Sequence, residues 1–154
     1  MAQIRQEAEI EASAEEIFAA IVDLRGYDRW LATSNVFEGI TDISSDPIAL
    51  GTTWAEPGPN GVRHGTVTEF ESPTRVTFHQ PMTMRPRFLG IIDITVSLTL
   101  TPSPTSVHLR RVVTFRIPWP LKLVQPLVVR QFRVESSRIL LALKDFAERP
   151  ANGT

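Results

Sequence analysis

The sequence predicts an α+β fold running strand, two short helices, a long antiparallel meander and a long terminal helix. Three observations carry that prediction. Near the N-terminus Ile4, Ala8 and Ile10 alternate with Arg5, Glu7, Glu9 and Glu11, and in the middle Ile92 to Leu100 alternate with polar residues. From Val124 onward apolar residues recur at a period near 3.6 instead. A period of two puts alternate side chains on opposite faces of a strand, whereas 3.6 stacks them along one side of a helix.

Gln3 to Glu11 reads as the first strand, with one wet face. Ser13-Ala-Glu-Glu16 offers a capping box, the Ser13 hydroxyl accepting the Glu16 amide, so a helix is expected to start there. Ile17, Phe18, Ile21 and Leu24 continue it at helical spacing, and Gly26 stands where a C-terminal stop is expected. Gly26 to Leu31 reads as a second short helix. From Val36 to Ile117 strand-like runs are separated by Asp46-Pro47, Pro57 to Gly61, Ser72-Pro73 and Pro102 to Ser106, which makes about six or seven strands in all. Ile92, Ile94, Val96, Leu98 and Leu100 form the clearest half-buried strand. In the next, Val107, Leu109, Val113 and Phe115 share one face and His108, Arg110, Thr114 and Arg116 the other, with Arg111 interrupting the apolar side. After Pro118-Trp-Pro120, the residues Val124, Val128, Phe132, Ile139, Leu143 and Phe146 share a helical stripe. Pro126 lacks an amide donor, so the regular helix is expected to begin about there. Residues 1–149 are read as one domain and 150–154 as a frayed polar tail.

Composition narrows the function classes. A chain of 154 residues can bury a sizeable core without staples, and the absence of cysteine rules out disulfides, thiolate metal sites and a cysteine nucleophile. A formal net charge of -1 supplies no global field for nucleic acid or anionic lipid, which leaves only a local patch open. The most apolar stretch, Ile117 to Val129, is short and broken by prolines, so no stable membrane insertion is expected. Met1 to Ser13 has no continuous apolar run, which reads as part of the fold rather than a secretory signal; the cytoplasm is the expected location.

Four local motifs, Ser13-Ala-Glu-Glu-Ile-Phe18, Tyr27-Asp-Arg-Trp30, Gly51-Thr-Thr-Trp54 and Val67-Thr-Glu-Phe-Glu-Ser-Pro-Thr-Arg-Val76, occur in an order and spacing that resemble the START/Bet v 1-like (SRPBCC) superfamily, including bacterial polyketide cyclase/dehydrase-like proteins. The resemblance implies a helix-grip fold, a curved antiparallel sheet wrapped around the terminal helix. It also implies a hollow between them that takes lipids, hormones, polyketides or aromatics in different members. Cyclases of this superfamily share no universal catalytic motif, so no catalytic residue is carried over. Fold alone does not assign function.

Trp54, Phe78, Phe115 and Phe132 are candidate aromatic walls of such a hollow, joined by Ile92, Ile94 and Val128 on the inner faces of strand and helix; each also fits ordinary core. Arg111 is the most informative polar position, because a guanidinium on an apolar face must be paired or bound to an anion. It reads as a donor fork for a ligand carboxylate, enolate or phosphate, with Glu135 as its candidate intramolecular partner; a local bulge sending it to solvent is the other reading. His64, His79 and His108 show no metal-ligand spacing, so no metal and no cofactor is expected, and His108 is expected to meet solvent. His64 and His79 fall on neighbouring strands. Met82 to Gly90 reads as a gate or an ordinary loop, and Trp119 as closing a pocket mouth, touching a membrane surface or packing on the sheet end.

Three functions compete. Binding of a small hydrophobic molecule needs only a pocket and ranks first. A cyclase or dehydratase needs a convergent acid–base set as well. A protein-interaction module needs a filled interior and an exposed apolar patch. Nucleic acid is not an expected partner, and a homodimer is left open.

Overall fold

Alternation in the sequence becomes a single antiparallel sheet. The computed structural model describes residues 2–34 and 37–149, so Val36 and the tail at 150–154 lie outside the described residues. Seven strands appear: β1 (Ala2–Ile10), β2 (Thr53–Gly58), β3 (Gly61–Glu71), β4 (Arg75–His79), β5 (Met82–Met84), β6 (Ile91–Pro102) and β7 (Val107–Arg116). Their order is β1-β7-β6-β4-β3-β2, and β5 pairs with both β3 and β6. A register shift between Val67 and Glu69 interrupts the β3–β4 ladder. An extra residue in one strand bends it and increases the local twist.

Between β1 and β2 lie α1 (Ala14–Val22) and a 3-10 turn (Leu24–Arg29). Ser13 caps α1 as its sequence requires, its hydroxyl accepting the Glu16 amide at 3.1 Å. Gly26 does not stop this helix. Asp23 ends it, and Gly26 sits inside the 3-10 turn under the Arg29 side chain, which is paired with Asp23. The second short helix is therefore Leu24–Arg29, two residues earlier than Gly26–Leu31. The meander also starts later than its first strand-like residues. Residues 37–52 run as irregular chain with one bridge, Thr41 to Ala55, because their turn residues break any ladder before Thr53.

A short helix α2 (Trp119–Lys122) precedes α3 (Gln125–Ala147). Pro126 lies in the first turn of α3, where an absent amide costs nothing. Val124 flanks that turn and is exposed, so it leaves the apolar stripe on which its spacing would put it. Ile17, Phe18 and Ile21 of α1 and Leu140 and Leu143 of α3 pack with the inner face of the sheet. That face includes Ile92, Ile94, Val96, Leu98 and Leu100 of β6 and Leu109, Val113 and Phe115 of β7. No helix is long and apolar enough to cross a membrane among the described residues.

Candidate functional site

The inner face of the sheet and α3 do not meet everywhere. Three adjoining cavities lie between them, and Arg63 and Glu135 border all three. One, of about 60 Å³, is lined by Tyr27, Trp30, Trp54, Phe78 and Arg111 among others. A second, about 130 Å³ and mostly apolar, lies between Met82, Met84, Ile92, Val128 and Phe132. The third, about 20 Å³, separates Arg111, Ile94 and Ser136. Pockets for drug-sized ligands hold roughly 300–1,000 Å³. A ligand of that size needs the walls to move apart.

β7 keeps an unbroken register from Val107 to Arg116, with Arg111 opposite Leu98 on one side and Gln6 on the other. Arg111 therefore keeps the inward phase of Leu109 and Val113, and the bulge that would turn it to solvent is absent from this strand. Its guanidinium donates to the Ser136 hydroxyl, which in turn donates to Gln6 Oε1 at 2.7 Å. Gln6 Nε2 donates to the Ser137 hydroxyl at 2.6 Å. This network ties β1 and β7 to α3. Burial is the largest influence on the guanidinium and pulls its pKa down to about 10, which still leaves it charged at neutral pH.

Glu135 is not its hydrogen-bonding partner. That carboxylate takes both arms of Arg138, at 2.8 and 2.9 Å, and a bond from the Ser34 hydroxyl at 3.1 Å. Burial would raise its pKa, but Arg138, Ser34 and the nearby charge of Arg63 outweigh that and hold it below the usual carboxylate range. The i,i+3 spacing of Glu135 and Arg138 makes them neighbours on one helix face.

Arg63, on β3, extends over the Phe132 ring at 5.7 Å, and Phe132 stacks on Phe115 at 4.5 Å with an interplanar angle of 18°. Phe115 is thus a backing layer rather than a cavity wall. Among the described residues no carboxylate lies within ion-pair distance of Arg63 or Arg111. Glu56 is opposite Arg63 in register, yet its Oε2 accepts from Trp54 Nε1 and Gln80 Nε2, both at 3.1 Å. Tyr27 donates to the Ile21 carbonyl at 2.5 Å, and burial raises its phenol pKa well above the usual range.

Trp54 and Phe78 meet edge to face at 5.3 Å, and both line the first cavity. Trp54 lies flat over Gly65, its register partner; a Cβ there would occupy the space of the indole. Sequence reasoning missed Arg63, Tyr27 and Ser136. Arg63 sits among Gly61, Val62, His64 and Gly65, where alternation is too weak to set a phase, and Tyr27 lies in a 3-10 turn with no period to read.

None of the three histidines lines these cavities. His64 is exposed opposite Ala55, whereas His79 is opposite Thr66 and bonds Asp93 at 2.6 Å. His108, half-exposed, lies between Glu9 at 2.6 Å and Glu7 at 3.0 Å. Met82 to Gly90 is more ordered than a loop: it holds β5 and a 3-10 turn at Arg87–Leu89, and Gly90 has a φ of 91° that favours glycine. Trp119 is 71% exposed and so does not pack on the sheet end.

A sheet wrapped on a long helix, with an apolar hollow carrying two guanidinium groups, defines a helix-grip protein of the Bet v 1-like, SRPBCC class. The family model for polyketide cyclase/dehydrase and lipid transport matches residues 1–148, so the chain belongs to that family. No functionally curated protein matches its sequence. A conserved protein from Geobacillus kaustophilus superposes with a TM-score of 0.75 at 12% identity, covering 95% of both chains. The Aha1 dimer from Colwellia psychrerythraea gives 0.67 at 20% identity, over 96% of this chain and 97% of that one. Norcoclaurine synthase from Thalictrum flavum, in complex with dopamine and hydroxybenzaldehyde, gives 0.68 at 16% identity, over 94% and 85%. At these identities the likeness is one of fold.

Proposed function

We propose that this protein binds a small hydrophobic molecule, lipid-, aromatic- or polyketide-like, in the hollow between sheet and α3, with an anionic end turned toward Arg111 and Arg63. The observation that carries the reading is Arg111 itself. It is a charged group facing an apolar interior with a serine hydroxyl for a partner and no carboxylate in ion-pair reach among the described residues. Glu56 and Glu135 act on this charge only at a distance, and holding it there without a directly paired carboxylate costs stability, which a ligand anion offsets on binding. Membership of a family named for polyketide chemistry and lipid transport supports an apolar occupant. Phe132, Met82 and Met84 are the walls that must shift, and methionine side chains adapt readily to a guest.

The enzymatic reading ranks second. Glu135 is held ionised by Arg138 and no histidine lines the hollow, so general acid–base chemistry has fewer supports here than ligand binding has. The unit that binds is residues 1–149, its place of action the cytoplasm. A homodimer, left open by the sequence and the state named for the Colwellia Aha1, is distinguished from a monomer by sedimentation equilibrium.

Native mass spectrometry of gently purified protein, with extraction of co-purifying small molecules, tests the binding reading. A stoichiometric apolar anion supports it. A bare chain that also shows no thermal shift with lipids, aromatics or polyketide mimics removes it and favours the protein-interaction module.

A further inference from the structure

Four large side chains stand out from one end of the molecule: Phe88 at 77% exposure, Trp119 at 71%, Leu123 at 76% and Leu127 at 66%. They come from three consecutive parts of the surface. The 3-10 turn Arg87–Leu89 packs against α2, α2 packs against α3, and Gly90 lies close to Pro118. Single exposed apolar residues are ordinary, but this many large ones grouped at one end mark an interaction site.

Charge is segregated to the same end. Residues 80–92 and 116–134 hold Arg85, Arg87, Arg116, Lys122, Arg130 and Arg133 and not one Asp or Glu. All six are exposed. The other ten Lys and Arg therefore share the chain with all seventeen acidic residues, so a net charge of -1 conceals a strongly basic end and an acidic remainder. Acidic neighbours are accounted for: Asp93 pairs with His79, and Glu135 is buried on Arg138.

We infer that this end docks on an anionic membrane surface, with Phe88, Trp119, Leu123 and Leu127 entering the interfacial layer and the six basic residues lying over the headgroups. Aromatic and leucine tips amid Lys and Arg are the composition of a surface-seeking segment. Long basic side chains lie along such a surface with their charges at headgroup level. Nucleic acid would use the charges but has no use for Leu123 and Leu127, which an interfacial lipid layer takes in. The attachment is peripheral, since no described helix can span a bilayer. Val128, next to Leu127, borders the 130 Å³ cavity together with Met82 and Met84, so the cavity adjoins the part of α3 that docks. The inference stands on the outer surface and does not depend on what the cavity holds.

Sedimentation of the full chain with vesicles tests it. At low salt the protein should pellet with vesicles of equal phosphatidylcholine and phosphatidylglycerol, stay in solution with phosphatidylcholine alone, and release as salt screens the surface. Each basic charge near an anionic surface contributes about fivefold in partitioning, so Lys122→Glu should weaken it roughly 25-fold. Trp119→Ser should abolish a blue shift of tryptophan fluorescence on binding. Leu141→Ser, at 66% exposure as prominent as Leu127 but about 21 Å further along α3, should change nothing. Circular dichroism checks that each variant is folded. No binding to anionic vesicles, indifference to Lys122→Glu, or an equal loss from Leu141→Ser overturns the inference.

Discussion

Arg111 on β7 donates to the hydroxyl of Ser136 on α3, and this bond joins the sheet to the helix beside the smallest of the three cavities. A charged group in that position works against the stability of the ligand-free protein. Arg111→Met, similar in length and apolar, is expected to leave the thermal midpoint unchanged or to raise it. Replacing buried ionic groups by packed apolar ones is often neutral or stabilising by about 1–4 kcal/mol. The same variant should lose binding of anionic ligands. A falling midpoint, measured by calorimetry, would mean that Arg111 supports the fold rather than a ligand.

Arg138 behaves differently, because its partner is a carboxylate that is only 7% exposed. Arg138→Ala leaves Glu135 with the Ser34 hydroxyl and no arginine fork, which is expected to cost about 1–3 kcal/mol in urea denaturation. Glu135→Gln with Arg138 intact should cost less, since the amide still accepts one bond and the freed guanidinium reaches solvent.

Phe132 is held between the Arg63 guanidinium and the Phe115 ring and closes the apolar cavity. Phe132→Ala removes a half-buried ring and should lower stability by about 2–3 kcal/mol. It should also enlarge the space between Met82 and Val128. Uptake of an apolar fluorescent probe is expected to rise even as the melting temperature falls; a fall in both would deny that Phe132 limits the cavity.

The Trp54 wall depends on Gly65. Gly65→Val drives a branched side chain into the indole and should cost about 1–3 kcal/mol, with loss of the near-ultraviolet dichroism of a fixed tryptophan. Gly65→Ala should show a smaller effect of the same sign.

How much of this was legible depended on whether a residue sat in a periodic element. β6 and β7 alternate cleanly because one face of the sheet meets solvent, and so Arg111 could be assigned its inward phase from Leu109 and Val113 alone. Its partner could not. Glu135 and Ser136 are adjacent on α3, and which one meets Arg111 depends on the rotation of the helix, which a stripe defines only to about a residue. The Glu135–Arg138 pair has an i,i+3 spacing that the assignment of Glu135 to Arg111 passes over, whereas Arg63 and Tyr27 lie in a glycine-rich strand and a 3-10 turn with no phase to read. The late start of the meander had a similar origin: residues 37–52 contain strand-forming types but are interrupted by turn formers before any run can pair.

His108 bridges Glu7 and Glu9 on β1, and the bonds to them raise its pKa while lowering theirs. The raised imidazole contributes stability in full below its ordinary value of 6.5, and this is lost as pH rises through the folded value. The lowered carboxylates contribute above their ordinary 4.5, and lose it as pH falls through theirs. The cluster should thus favour the fold most between 4.5 and 6.5. Comparing thermal midpoints of wild type and His108→Gln across pH checks this, and the gap between the two should narrow above neutrality.

The most direct test of the proposed function compares two ligands that differ only in the polar end, dodecanoate and dodecanol, by isothermal titration calorimetry against wild type and Arg111→Met. Charge-assisted hydrogen bonds contribute roughly 1.5–3 kcal/mol, so wild type should prefer dodecanoate by about tenfold or more, and the preference should vanish in the variant. Equal affinity for the two in wild type, or a preference that survives Arg111→Met, would contradict an anion-receiving role for Arg111.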